Sequence, residues 1–170
     1  MAVRVARHHS AFYDCRFLGY QDTVLDDSGR HYFRNCYIEG AVDFVAGNGK
    51  SIYQVTCKVK SWFTLQLWLI FLFQKLEWMK NTIYWVCWTL QNCVLHAIPI
   101  KSGAFVAQKR SSPSEDTGFV FLQCKLTGKG LMHLGRAWGS HSTVVFVNSY
   151  MDGIIIPEGW TDWNDPTRQK

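Results

Sequence analysis

Phe12-Tyr-Asp-Cys-Arg-Phe-Leu-Gly19 sets an aromatic pair, a polar residue, a cysteine, a second apolar pair and a glycine in a row. That order reads as a short strand, a bend, a second short strand and a turn. The chain repeats it as Tyr32-Phe-Arg-Asn-Cys-Tyr-Ile-Glu-Gly40 and, in shorter form, as Asn92-Cys-Val-Leu-His96. It returns as Phe119-Val-Phe-Leu-Gln-Cys-Lys-Leu-Thr-Gly128 and as Val144-Val-Phe-Val-Asn-Ser-Tyr-Met-Asp-Gly153, where Ser149 stands in the cysteine's place. Cys15 and Cys36 are 21 residues apart, and Cys93 and Cys124 are 31 apart. A self-similar period of this size marks a solenoid, in which each repeat buries its apolar face only against its neighbours. Short strands with no amphipathic helix between them predict an all-β parallel β-helix rather than a leucine-rich repeat.

In such a coil the small residues at equivalent places stack inside on successive turns. The six cysteines contain no close C-x-x-C pair, which argues against a zinc site or a thioredoxin-like centre. Those of the repeat, Cys15, Cys36, Cys93 and Cys124, are expected to form a ladder in the core, since free cysteine behaves as a small buried hydrophobe.

One interval breaks the period: Cys36 and Cys93 are 57 residues apart. Five of the eight tryptophans (Trp62, Trp68, Trp78, Trp85 and Trp88) fall in the interval, around the apolar run Trp62–Phe73. The run is shorter than the ~20 residues a membrane span needs and lacks clear helix caps. Removing residues 55–91 shortens the interval to 20 and joins Ser51-Ile-Tyr-Gln54 to Asn92-Cys-Val-Leu-His96, a coil like the others. Three segments are therefore expected: β-helix coils over 1–54, a non-homologous insertion over 55–91, and further coils over 92–170. Valine codons begin with GT, glutamine can be encoded by CAG, and Phe/Leu/Trp richness fits T-rich noncoding DNA. The insertion is accordingly read as a translated, retained intron.

The net charge of +5 and the pI of about 8.9 suit a polyanionic partner: an acidic polysaccharide, a nucleic acid or an anionic surface. The first residues, Met1-Ala-Val-Arg-Val-Ala-Arg-His-His9, hold no apolar stretch of signal-peptide length, so no secretion signal is expected in the chain as written.

Two acidic residues carry the chemical reading. Asp22, in Gly19-Tyr-Gln-Asp-Thr23, and Asp43, in Gly40-Ala-Val-Asp-Phe44, are 21 residues apart, one coil of the predicted solenoid. That spacing sets them side by side on neighbouring turns. Adjacent carboxylates push one another's pKa apart, so one can keep its proton while the other is ionised. Such a pair suits acid/base or nucleophilic work. Any single aspartate is as readily a turn former. A third block, Leu134-Gly-Arg-Ala-Trp138, supplies a guanidinium and an indole.

With these blocks in view, the sequence resembles the plant pectin methylesterase family. The likeness rests on Ser10–Thr23, Tyr37–Phe44, Leu134–Trp138 and Pro157-Glu-Gly-Trp-Thr-Asp-Trp163, in that order, and covers nearly all the chain outside 55–91. It implies a right-handed single-stranded parallel β-helix, of which this chain holds a part, and hydrolysis of the methyl esters of pectin to pectate and methanol. It implies Asp43 as nucleophile, Asp22 as general acid and then base, Gln21 as oxyanion donor, and Arg136 as the cation holding Asp43. Trp138, Thr23 and Phe44 are implied as substrate contacts. It implies no metal and no cofactor. The implied partners are homogalacturonan and a proteinaceous pectinesterase inhibitor, with neither nucleic acid nor membrane, for a monomer in the plant cell wall. The chain departs from the family at four places, one of them being that the early coils of the β-helix are expected to be missing, which would leave an open strand edge. A second oxyanion glutamine belongs one coil ahead of Gln21, before Met1. Ala46 stands where an aromatic is usual. The final strand lies beyond Lys170. These departures leave a catalytically inactive pectin-binding β-helix, or a non-functional truncated product, as the alternative.

Overall fold

The computed structural model describes residues 1–54, 93–162 and 164–168. The insertion expected over 55–91 lies outside them.

Each coil lays down three short strands. The first coil gives β1 (Val3–Val5), β2 (Ser10–Tyr13) and β3 (Arg16–Leu18), and the second β4 (Val24–Asp26), β5 (Arg30–Arg34) and β6 (Tyr37–Gly40). The third gives β7 (Val45–Gly47), β8 (Lys50–Gln54) and β9 (Val94–Ala97), and the fourth β10 (Ser102–Gln108), β11 (Gly118–Leu122) and β12 (Lys125–Gly128). The fifth gives β13 (Leu131–Ala137), β14 (Val144–Val147) and β15 (Tyr150–Met151), after which β16 (Trp160–Thr161) opens a sixth. Every third strand pairs with its counterpart one coil on. The result is three sheets, β1-β4-β7-β10-β13-β16, β2-β5-β8-β11-β14 and β3-β6-β9-β12-β15. All the pairing between these strands is parallel.

The repeat's bend is a single residue with positive φ. Asp14 (55°), Asn35 (54°), Gln123 (56°) and Asn148 (47°) each turn the chain from the second sheet to the third. Asn and Asp tolerate this left-handed region better than other residues with a Cβ, which is why the polar position of the motif is mostly Asp or Asn. At one position only glycine serves: Gly47 has φ +126°, and a Cβ there would lie 2.1 Å from the Asp26 carbonyl oxygen.

Strand alternation sends one side chain of each motif inward, and the coil spacing then stacks like on like. Phe12, Phe33, Tyr53, Phe121 and Phe146 form a continuous face-to-face column with centroid separations of 4.9, 4.5, 4.8 and 4.8 Å. Those separations match the ~4.8 Å between hydrogen-bonded strands. Beside this column runs the expected cysteine ladder. Cys36, Cys93 and Cys124 are buried, Cys15 is half-buried, and all four are free thiols. The Cys36 amide donates to Cys93 Sγ at 3.2 Å, and the Cys124 amide donates to Ser149 Oγ at 3.1 Å, so serine does the same work in the fifth coil. The hydrogen bond with Cys124 and burial push the Cys93 thiol up to about 12, against a hydrogen bond with Cys36 that lowers it. These groups are packing, not nucleophiles.

Candidate active site

Both aspartates sit on bends of positive φ, Asp22 at 47° and Asp43 at 51°, immediately ahead of β4 and β7. The ladder sets their separation. Gln21 and Val42 form a parallel bridge, and the Asp22 amide donates to the Val42 carbonyl at 3.2 Å, so the two acids occupy equivalent places on successive coils. Asp43 is 2% exposed and Asp22 is half-buried.

Arg136 comes from β13, two strands along the first sheet from β7. Its Nε donates to Asp43 Oδ1 at 3.0 Å and its Nη2 to Asp43 Oδ2, a two-point ion pair. The strand between them, β10, places Ala107 in register with both Ala46 and Arg136. A methyl group at Ala107 leaves the long arginine side chain a path to the third coil. The pair fixes the orientation of the Asp43 carboxyl group.

Asp22 is in the opposite condition. Burial raises its carboxyl pKa from the ordinary value, the neighbouring Asp43 charge raises it further, and Arg136 works the other way. One acid gripped by a guanidinium beside another biased toward its neutral form is an arrangement suited to a nucleophile and a general acid.

The remaining expected residues fall in two groups. Gln21 is exposed beside Asp22, and Trp138 is 37% exposed two residues beyond Arg136. Thr23 and Phe44 do not reach the surface, and as substrate contacts they are corrected. Both are fully buried, Thr23 donating from Oγ1 to the Glu39 carbonyl at 2.8 Å and Phe44 packing on Phe105 at 4.8 Å. Their backbones follow the left-handed bends and carry the side chains away from the acids. Among the described residues no group of three or more His, Cys, Asp or Glu has the arrangement of a metal site.

Two features near the acids escaped the sequence reading. Lys109 carries its ammonium over the Trp138 ring, 4.9 Å from the centroid. Beneath them Gln108, fully buried, accepts from the Arg110 and Thr143 amides at 3.0 Å each and donates to Asn48 Oδ1 at 3.3 Å. Its carbonyl accepts from the Gly139 amide at 3.1 Å and from Ser142 Oγ. Gln108 thereby fixes the turn that follows Trp138. The available signal was a lone glutamine ending the apolar run Ala104–Ala107, which looks like any polar residue at a strand end.

The profile of the family described as Pectinesterase matches residues 1–66 and 86–170, leaving 67–85 outside the match. Pectinesterase QRT1 of Arabidopsis thaliana is 38% identical over 170 residues, which is 100% of this chain and 35% of that protein. The solved pectin methylesterase from carrot superposes with a TM-score of 0.68 at 26% identity, covering 93% of this chain and 42% of that one. The pectin methylesterase from Aspergillus niger gives 0.64 at 26% identity, covering 89% and 40%. The chain thus spans less than half the length of each of these proteins. The shared architecture is the right-handed parallel β-helix. On the breadth of the profile match, this chain belongs to the pectinesterase family.

Proposed function

We propose that the chain removes methyl esters from pectin, a hydrolysis of galacturonate methyl esters that yields pectate and methanol. Ionised Asp43 attacks the C6 carbonyl carbon, and the carbonyl electrons move onto oxygen as a tetrahedral oxyanion. The Gln21 amide donates to that oxygen; a preorganised donor of this kind is worth about 3 kcal/mol. Neutral Asp22 gives its proton to the departing methoxy oxygen as the C–O bond breaks. Methanol leaves, and an acyl anhydride remains on Asp43. Asp22, now a carboxylate, takes a proton from water, and the hydroxide adds to the anhydride carbon. Collapse frees the uronic acid and returns Asp43 as the anion. Asp22 keeps the proton it took from water, and the uronic acid gives its own proton to solvent and leaves as the carboxylate. Trp138 offers a flat apolar wall to a sugar ring.

The observation that supports this reading most is the two-point Arg136–Asp43 pair beside an Asp22 biased toward its neutral form. On the same reading the protein works in the plant cell wall as a monomer, with homogalacturonan as its polymer and a proteinaceous inhibitor as a second partner. The net charge of +5 draws it to a polyanion that gains charge with every turnover.

The deciding experiment is methanol release from highly methylated pectin by the purified chain. Asp43→Asn is expected to reduce it by a factor on the order of 10⁴. Release that survives this substitution overturns the assignment of the nucleophile. Pectin binding by folded wild-type protein without methanol release supports the inactive, pectin-binding alternative instead.

A further inference from the structure

Lys109 follows β10 directly. Its amide donates to the Gly47 carbonyl at 2.9 Å, and the register of Gln108 with Ala137 sets it beside Trp138. Ala107 and Lys109 are two residues apart, as are Arg136 and Trp138, so in extended chain each pair shares a face of the sheet. The Lys109 ammonium therefore stands on the side from which Arg136 reaches Asp43. Its recorded contact is the face of Trp138, and among the described residues no carboxylate pairs with it. The other cations nearby are engaged. Arg136 holds Asp43, and Arg110 is tied to Ser112, Pro113 and Thr143. A positive charge on an exposed aromatic platform, two residues along the chain from the arginine that holds Asp43, is thus left for something that binds there.

We propose that Lys109 is a specificity-determining residue, whose ammonium binds the free carboxylate of an already demethylated uronate ring adjoining the ring that reacts. The inference rests on the proposed function and deepens it. Trp138 takes the apolar face of the sugar while Lys109, held against the indole, meets the carboxylate at the sugar's edge. A methyl ester at the same place offers neither the charge nor an anionic acceptor, so the contact discriminates between the two kinds of neighbour.

Calorimetric binding of two short galacturonate oligomers, one fully demethylated and one fully methylated, tests this on the whole chain at low and high salt. Lys109→Gln is expected to weaken the demethylated oligomer about tenfold, the loss of one charge-assisted contact, and to change the methylated one less than about twofold. The difference is expected to shrink with added salt, and Lys109→Arg is expected to restore it. Equal losses on both oligomers mean that Lys109 only braces Trp138, and the proposal fails. No loss on either means that Lys109 does not touch the polymer, and it fails again. Methanol release by the wild type is measured in parallel. Release with unchanged oligomer preference rejects Lys109 alone, whereas neither binding nor release by folded wild type rejects the proposed function together with it.

Discussion

A carboxylate gripped on both oxygens by one guanidinium can accept a proton only by giving up part of that grip. Asp43 is so held by Arg136, while Asp22 answers to burial first, to Asp43 next and to Arg136 in the opposite sense. The two substitutions that dissect this site have opposite signs. Asp43→Asn removes a charge that raises the Asp22 pKa and is expected to lower it. Arg136→Gln removes a charge that lowers it and is expected to raise it. Carboxyl carbon shifts followed by NMR titration read both, and movement in the same direction would contradict the geometry. That Asp22, Asp43 and Arg136 come together could be anticipated from the sequence, because acids one coil apart stack on neighbouring turns and the motif supplies the arginine. Thr23 and Phe44 were misread because nearness in sequence to a reactive acid is not nearness on a surface: one left-handed residue turns the next side chain inward.

A second residue-scale feature left no trace in the motifs. Asp26 and His31 are buried together, with His31 Nδ1 2.6 Å from Asp26 Oδ1 and His31 Nε2 2.7 Å from the Arg7 carbonyl. Tyr53 donates to the other Asp26 oxygen at 2.7 Å. The hydrogen bond to Asp26 raises the His31 pKa above its ordinary value, outweighing the desolvation that lowers it. A raised folded-state pKa means that protonated His31 favours folding. That contribution is complete below about pH 6.5, the unfolded value, and fades as pH climbs through the higher folded value. Urea midpoints at about pH 5.5, 7 and 8.5 are expected to fall with pH in the wild type, and more shallowly in His31→Gln. An equal slope in both proteins would remove His31 from the explanation.

At the scale of the element, each strand is too short to stand alone, and its stability comes from what stacks above and below. Phe121 packs between Tyr53 and Phe146 and is fully buried. Phe121→Ala is expected to cost about 3–5 kcal/mol in chemical denaturation. Cys124→Ser, in the neighbouring ladder, is expected to cost less. Ser149 already fills the equivalent place one coil on, donating to the Phe121 carbonyl at 3.2 Å much as Cys124 donates to that of Tyr53 at 3.4 Å. Comparable losses for the two would mean that the aromatic column is not the dominant core. The strands and their order could be read from the repeat, since alternation and a fixed period survive in the letters. The Gln108–Asn48 network could not, because it joins residues 60 apart through chain whose polar members look like ordinary turns.

For the whole molecule, strands drawn from 1–54 and from 93–162 form one set of sheets, with β8 held between β5 and β11 and β9 between β6 and β12. Elsewhere one residue turns the second sheet into the third, as at Asp14, Asn35, Gln123 and Asn148. Excising 55–91 leaves one residue, Asn92, between Gln54 and Cys93. The shortened chain is expected to fold with unchanged circular dichroism in the strand region and with a urea midpoint no lower than the parent's. Failure to fold would show that the excised residues contribute to the fold.

The one-residue corner between the second and third sheets has a use for protein engineers. The strands on either side of it are paired with neighbouring coils, so the coil at Gln54 and Cys93 keeps its register although residues 55–92 separate the two. It is an address for grafts. An affinity tag, a reporter peptide or a recognition loop spliced at that corner would be displayed from the solenoid's flank, away from the sheet that carries Arg136, and one scaffold could be given many such passengers without redesigning its frame.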